Sequence, residues 1–132
     1  MKRIASATVA PTGPNYTQVI ETGGFTLAAD ETVGAGGQNG GPAPYNLLLA
    51  GLGACTAITL KMYADRKGWA IEPLRVALTL HKDDDGNTFI ARRLSSDASL
   101  EAAQWDKLIE IAGKTPVTKT VSAGATITTT RE

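Results

Sequence analysis

The sequence has one cysteine, Cys55, and one histidine, His81, so a cysteine nucleophile or a histidine general base would have to be one of these. A single cysteine excludes an internal disulfide and a cysteine-based metal cluster, and a single histidine excludes a multi-histidine metal site. Cys55 lies in Leu52-Gly53-Ala54-Cys55-Thr56-Ala57. Two readings stand open there. Free cysteine is among the most buried residues and packs as a small hydrophobe. Alternatively it is a reactive thiolate, which needs a cation or hydrogen-bond donor nearby. No basic residue lies within one helical turn of Cys55 in the sequence. A cation would have to come from elsewhere in the fold or from a second chain. Arg92-Arg93 is one source, and on a strand only one of the two can face a given side. His81, beside Lys82 and Asp83, reads as a solvated strand end. Asp83-Asp84-Asp85-Gly86 lacks the alternating ligand spacing and distal glutamate of a calcium loop, so it reads as a charged turn. The sequence gives no reason to expect a metal or a bound cofactor.

These groups must be positioned by a small number of elements. Pro42-Ala43-Pro44-Tyr45 opens a helix that runs to about Lys67, where Gly68 stops it. From Leu47 to Ile58 it is apolar on every face, which predicts protein on all sides. Gly51 and Gly53 each cost this helix about 1 kcal/mol relative to alanine, a cost explained if another element approaches the backbone closely. Upstream, Ile4–Val9, Tyr16–Glu21 and Phe25–Asp30 read as three short strands separated by proline- and glycine-rich turns. In the third, Phe25, Leu27 and Ala29 alternate with Thr26, Ala28 and Asp30, the pattern of a half-buried strand. Gly34–Gly41, with five glycines in eight residues, reads as a surface loop feeding the helix; no Lys-Ser/Thr follows to make it a phosphate loop.

Downstream, Leu74, Val76, Leu78 and Leu80 alternate along a strand. A turn at Asp83–Asn87 returns it as Thr88–Ser95. A second helix spans about Leu100 to Ala112, with Ala102, Trp105, Leu108, Ile109 and Ala112 on its apolar face. Thr115-Pro116 has the form of an N-cap and first residue of a short third helix. Ser122–Arg131 reads as a final strand. Three strands, helix, hairpin, helix, strand is an α+β order, not a βαβ alternation.

The bulk properties bound the function. The chain has 132 residues, which makes one domain, residues 1–132, the expectation. Thirteen Lys+Arg balance thirteen Asp+Glu. No basic excess points to nucleic acid or to an anionic membrane surface. The run from Tyr45 to Leu60 is short for a bilayer span and fits a core helix. The N-terminus makes a poor signal peptide. A cytoplasmic protein is the expectation.

The segment Gly41-Pro42-Ala43-Pro44-Tyr45-Asn46-Leu47-Leu48-Leu49-Ala50-Gly51-Leu52-Gly53-Ala54-Cys55-Thr56-Ala57, followed by Met62-Tyr63-Ala64 and Lys67-Gly68-Trp69, resembles the OsmC/Ohr family of osmotically inducible and organic-hydroperoxide-resistance proteins. Ile109-Glu110-Ile111-Ala112 before Thr115-Pro116-Val117 extends the resemblance over nearly the whole chain. It implies an intertwined homodimer with antiparallel sheets around the long apolar helix and two sites at the subunit interface. It also implies thiol chemistry on organic hydroperoxides, with Cys55 at the peroxidatic position. The family's second, resolving cysteine corresponds to Thr115, and the histidine of that stretch to Thr118. The glutamate that peroxidase members carry near the start of the central helix corresponds to Tyr45 and Asn46. Upstream of that helix, the N-terminal arginine of those members has only Arg3 as a counterpart. The resemblance therefore implies a one-cysteine peroxidase served by an external thiol reductant. The alternative is a non-catalytic dimer that binds a small hydrophobic ligand, with Cys55 structural. Leu49 and Leu52, with Tyr45, Asn46 and Thr118, are the expected lining of the site.

Overall fold

The computed structural model describes all 132 residues, which form two compact units, Met1–Leu48 and Leu49–Glu132. The first unit is a three-stranded antiparallel sheet, β1 (Ala7–Pro11), β2 (Gln18–Thr22) and β3 (Phe25–Ala29), in the order β1-β2-β3. β1 and β2 start later than the residue types suggest. Thr17 donates through its hydroxyl to the Pro14 carbonyl at 2.6 Å, so the turn extends to Thr17 before pairing begins with Pro11 opposite Gln18. Of the face expected to be half-buried, Ala29 is buried, while Phe25 and Leu27 are exposed because nothing in the chain covers them.

The glycine-rich loop is built around an anion of its own. The Asp30 carboxylate, 3% exposed, accepts from the backbone N–H of Glu31 at 2.7 Å and of Gln38 and Gly40 at 3.0 Å each. The hydrogen bond from Gly40, joined by those from Glu31 and Gln38, holds its carboxyl below the usual aspartate range against the opposing effect of desolvation. The Gln38 and Gly40 amides of the loop are thus spent inward. Gly41 is required because a Cβ there would meet the Ala28 backbone at 2.8 Å.

Helix α1 (Pro44–Lys67) begins in the first unit and runs through the second. The second unit adds β4 (Leu74–Lys82), β5 (Thr88–Ser96), α2 (Ala102–Ala112) and α3 (Pro116–Ala123). By length and apolar composition α1 is comparable to a bilayer span. Its Leu52, Thr56, Leu60 and Ala64 are nevertheless buried inside the protein, four residues apart as one helix stripe demands. Leu60 and Ala64 join Ile71, Leu108 and Ala112 in the core, with Trp69, Leu94 and Trp105 packed around them. Gly53 explains itself: a Cβ there would sit 2.8 Å from the Leu78 side chain, so β4 approaches the helix backbone. Gly51 has open space before it. The all-round burial expected of α1 is not supplied by this chain, since Ile58 is 56% and Met62 54% exposed.

β4 and β5 pair antiparallel, with Val76 opposite Leu94, Leu78 opposite Arg92 and Leu80 opposite Ile90. Their turn is closed by Asp83, which accepts from the N–H groups of Asp85 and Asn87 and from the Asn87 side chain. The Asn87 side-chain bond, backed by those of Asn87 and Asp85 N–H, lowers the Asp83 carboxyl. α2 starts two residues later than its apolar pattern because Glu101 is the N-cap and exchanges hydrogen bonds with Gln104 in a capping box. Thr115 caps α3 and Pro116 follows at its first position, as the sequence predicts. The final strand expected at Ser122–Arg131 does not form. α3 continues to Ala123, Gly124 takes φ +79°, and the rest finds no strand in the chain to supply a hydrogen-bonding ladder.

Two outcomes follow. Leu108→Ala, which empties a fully buried position, should cost about 2–5 kcal/mol in denaturant unfolding; a loss under 1 kcal/mol would contradict the core assignment. A carboxyl lowered by folding contributes stability above its unfolded value and loses it as pH falls through its folded value. Asp30→Asn should therefore speed hydrogen exchange at the Gln38 and Gly40 amides at neutral pH, and narrow the gap to wild type in strong acid. Equal protection in the two proteins at neutral pH would show that the carboxylate does not hold the loop.

Candidate functional site

β5 carries a cation on its apolar face. Alternation puts Ile90, Arg92 and Leu94 on the side half-buried in the unit, whereas Arg93 points the other way and is exposed. The Arg92 guanidinium donates through Nη1 to Thr56 Oγ1 at 2.9 Å and to Thr118 Oγ1 at 2.7 Å. Through Nη2 it donates to the Ala112 carbonyl at 2.9 Å. One side chain thus ties β5 to α1, to α3 and to the C-terminus of α2. That terminus presents carbonyls at the negative end of a helix dipole, a favourable place for a cation. None of the five ion pairs in the structure includes Arg92.

The hydroxyls around it can be assigned by counting protons. Thr118 has one O–H and donates it to the Ala112 carbonyl at 3.1 Å. Thr115 is therefore the donor in the 2.7 Å Thr115–Thr118 contact, and its own oxygen accepts from the Thr118 N–H at 3.3 Å. Thr56 donates to the Leu52 carbonyl at 2.7 Å while accepting from Arg92. Thr115 and Thr56 are 1% and 0% exposed, and no buried polar side-chain atom lacks a partner.

Beside this network is a cavity of about 300 Å³. Leu52, Ile90, Leu94, Ile109, Ala112 and Val121 form its apolar wall. Arg92, Thr118 and Ser122 are its polar residues.

The sequence-derived candidates distribute unevenly. Leu52 and Thr118 line the cavity. Cys55 is half-buried on α1, next in sequence to Thr56, but does not line the cavity. Thr115 is at the start of α3 as expected, and its hydroxyl is spent on Thr118. Leu49 is half-buried on α1. Tyr45 and Asn46 are exposed residues of the first unit, in the first turn of α1, and Arg3 is exposed before β1. His81 is exposed at the end of β4 opposite Phe89. Arg92 is the residue that sequence reasoning named only as one of a pair. Its signal was available: it shares parity with Ile90 and Leu94, so the apolar side of β5 had to carry it.

Comparison with known proteins gives a consistent result. No protein with a curated description matches the chain significantly. Among solved structures, a candidate osmotic-stress-induced and detoxification-response protein from Psychrobacter arcticus superimposes with a TM-score of 0.78 at 14% identity, covering 91% of this chain and 90% of that one. An OsmC-like protein from Mycoplasma pneumoniae gives 0.72 at 20% identity, with 92% and 89% covered. The organic hydroperoxide resistance protein OhrB of Bacillus subtilis gives 0.61 at 23% identity, with 90% of each chain covered. The model of the family described as OsmC-like protein matches residues 37–130, from the glycine-rich loop to the C-terminal segment. The chain belongs to the OsmC-like protein family.

Proposed function

We propose that this chain acts as a single OsmC-like domain in a cytoplasmic homodimer that reduces organic hydroperoxides through Cys55. The observation that carries the reading is the placement of Cys55. It is partly accessible, on the helix that the family model covers, and its neighbour Thr56 is bonded to an arginine supplied by β5. In the proposed step the Cys55 thiolate attacks the outer oxygen of ROOH. The O–O bond breaks, an S–OH group forms, and the departing alkoxide takes a proton and leaves as ROH. Thr115 offers no second thiol. Two equivalents of an external thiol then return Cys55 to the reduced state, giving their disulfide and water. Of the lining residues that the resemblance implies, Leu52 and Thr118 line the cavity, which does not include Cys55.

A second copy is proposed because α1 is uncovered on one side. Leu48, Ile58 and Met62 are 41%, 56% and 54% exposed, and Gly51 faces open space. A second reading, a non-catalytic dimer that binds a small hydrophobic ligand, is favoured by one observation: the cavity does not include Cys55.

Treating the reduced protein with cumene hydroperoxide at neutral pH should add one oxygen to its intact mass, trappable by dimedone. Cumene hydroperoxide should react faster than hydrogen peroxide, since each buried methylene contributes about 0.8 kcal/mol. An unmodified thiol after excess hydroperoxide would decide for the binding reading.

Light scattering at micromolar concentration should give the mass of a dimer, and a monomer would exclude it. Gly51→Ala separates the cases further. On a solvated helix face it should stabilise by about 1 kcal/mol; against a partner it should weaken association.

A further inference from the structure

We infer that the cavity beside Arg92 is a binding site for a small monocarboxylate with an apolar tail. The site does not include Cys55, so the inference gives the binding reading a ligand class and does not depend on peroxide chemistry.

Charge comes first. The guanidinium of Arg92 is half-buried on an otherwise apolar strand face, and its acceptors are two hydroxyls and a backbone carbonyl. All three are neutral oxygens. The carboxylates that pair with cations elsewhere, Asp65, Glu72, Asp97 and Glu110, are engaged by Lys61, Arg75, Lys107 and Lys114. The α2 terminus compensates only part of a full positive charge. Nη1 has spent both of its hydrogens, but Nε and one hydrogen of Nη2 have no protein acceptor. An arginine with donors left over at the wall of a cavity is complementary to an oxyanion.

Shape and polarity narrow the class. About 300 Å³ is at the small end of ligand pockets. Beyond Arg92 the cavity wall is mainly aliphatic: Leu52, Ile90, Leu94, Ile109 and Val121. One cation suits one negative charge, and a doubly charged phosphate would leave a charge unpaired against that wall. A carboxylic acid is ionised at neutral pH and carries its charge at one end. Its head would take the free guanidinium N–H groups, with the Ser122 hydroxyl on the same wall, and its tail would cover the aliphatic side chains.

The test is calorimetric titration of the full-length reduced protein with octanoate at neutral pH, alongside hexanoate, butanoate and 1-octanol. Saturable octanoate binding is expected, with affinity falling about fourfold for each methylene removed. 1-Octanol should bind at least tenfold more weakly. Arg92→Gln should weaken octanoate at least tenfold and leave 1-octanol unchanged. If Arg92→Gln does not fold, Val121→Phe, which fills the cavity and keeps the charge, replaces it and should abolish octanoate binding. The inference is overturned by any of three results: no saturable binding of octanoate, as when a second copy of the chain fills the cavity; equal affinity for octanoate and 1-octanol; or unchanged octanoate affinity in a folded Arg92→Gln or Val121→Phe protein. Because the readout is heat of binding, its outcome is separate from that of the Cys55 mass measurement.

Discussion

A guanidinium on the apolar face of a strand has to be satisfied from several directions at once, and in the second unit Arg92 sets that constraint. Leaving such a group partly desolvated without partners would cost several kcal/mol. The fold answers with three oxygens from three helices: Thr56 on α1, Thr118 on α3 and the terminal carbonyl of α2. The Thr-Pro start of α3, the break after Ala112 and the threonine within the buried stripe of α1 all serve this one side chain. Thr56 is an unusual residue for a stripe otherwise made of Leu52, Leu60 and Ala64. Its hydroxyl is what lets a buried helix face meet a cation.

The same arrangement separates two chemistries that the family resemblance had placed together. Cys55 and Thr56 are neighbours in sequence, but successive residues on a helix point about 100° apart. Thr56 turns into the unit and Cys55 toward its margin, where it stays partly accessible. The polar network and its cavity belong to the Thr56 side. Thr115, which the resemblance sets at the position of a resolving cysteine, is closed into that network by its bond to Thr118. With one cysteine in the chain, the thiol cycle proposed above would need its second thiol from another molecule.

Much of the fold was legible because local rules and packing agree. Pro44 and Gly68 mark the ends of α1, the 74–96 hairpin follows from alternation and a charged turn, and Thr115-Pro116 fixes the start of α3. The misreadings share a cause. The final strand over 122–131, the half-buried face of β3 and the all-round burial of α1 each require a neighbouring surface that one chain does not provide. Apolarity records that a surface is to be covered, without saying by what. Within the polar network, the place of Thr115 at the start of α3 was legible through its Thr-Pro motif, whereas Cys55 lies outside the cavity. The face of Arg92 was legible from its parity with Ile90 and Leu94, but its partners were not, because they are 20, 26 and 36 residues away in sequence. Asp30 was similar: the glycine-rich loop reads as a surface loop, and only the structure shows that its amides close on the protein's own carboxylate.

The organising role of Arg92 is tested most directly by a double-mutant cycle in unfolding free energy, using Arg92→Met, Thr56→Val and the pair. If the guanidinium and the buried hydroxyl form one unit, the two losses should not add, with a coupling energy of about 0.5–3 kcal/mol. Simple additivity, within about 0.3–0.5 kcal/mol, would show that Arg92 and Thr56 act independently and that the second unit is held by its apolar core alone.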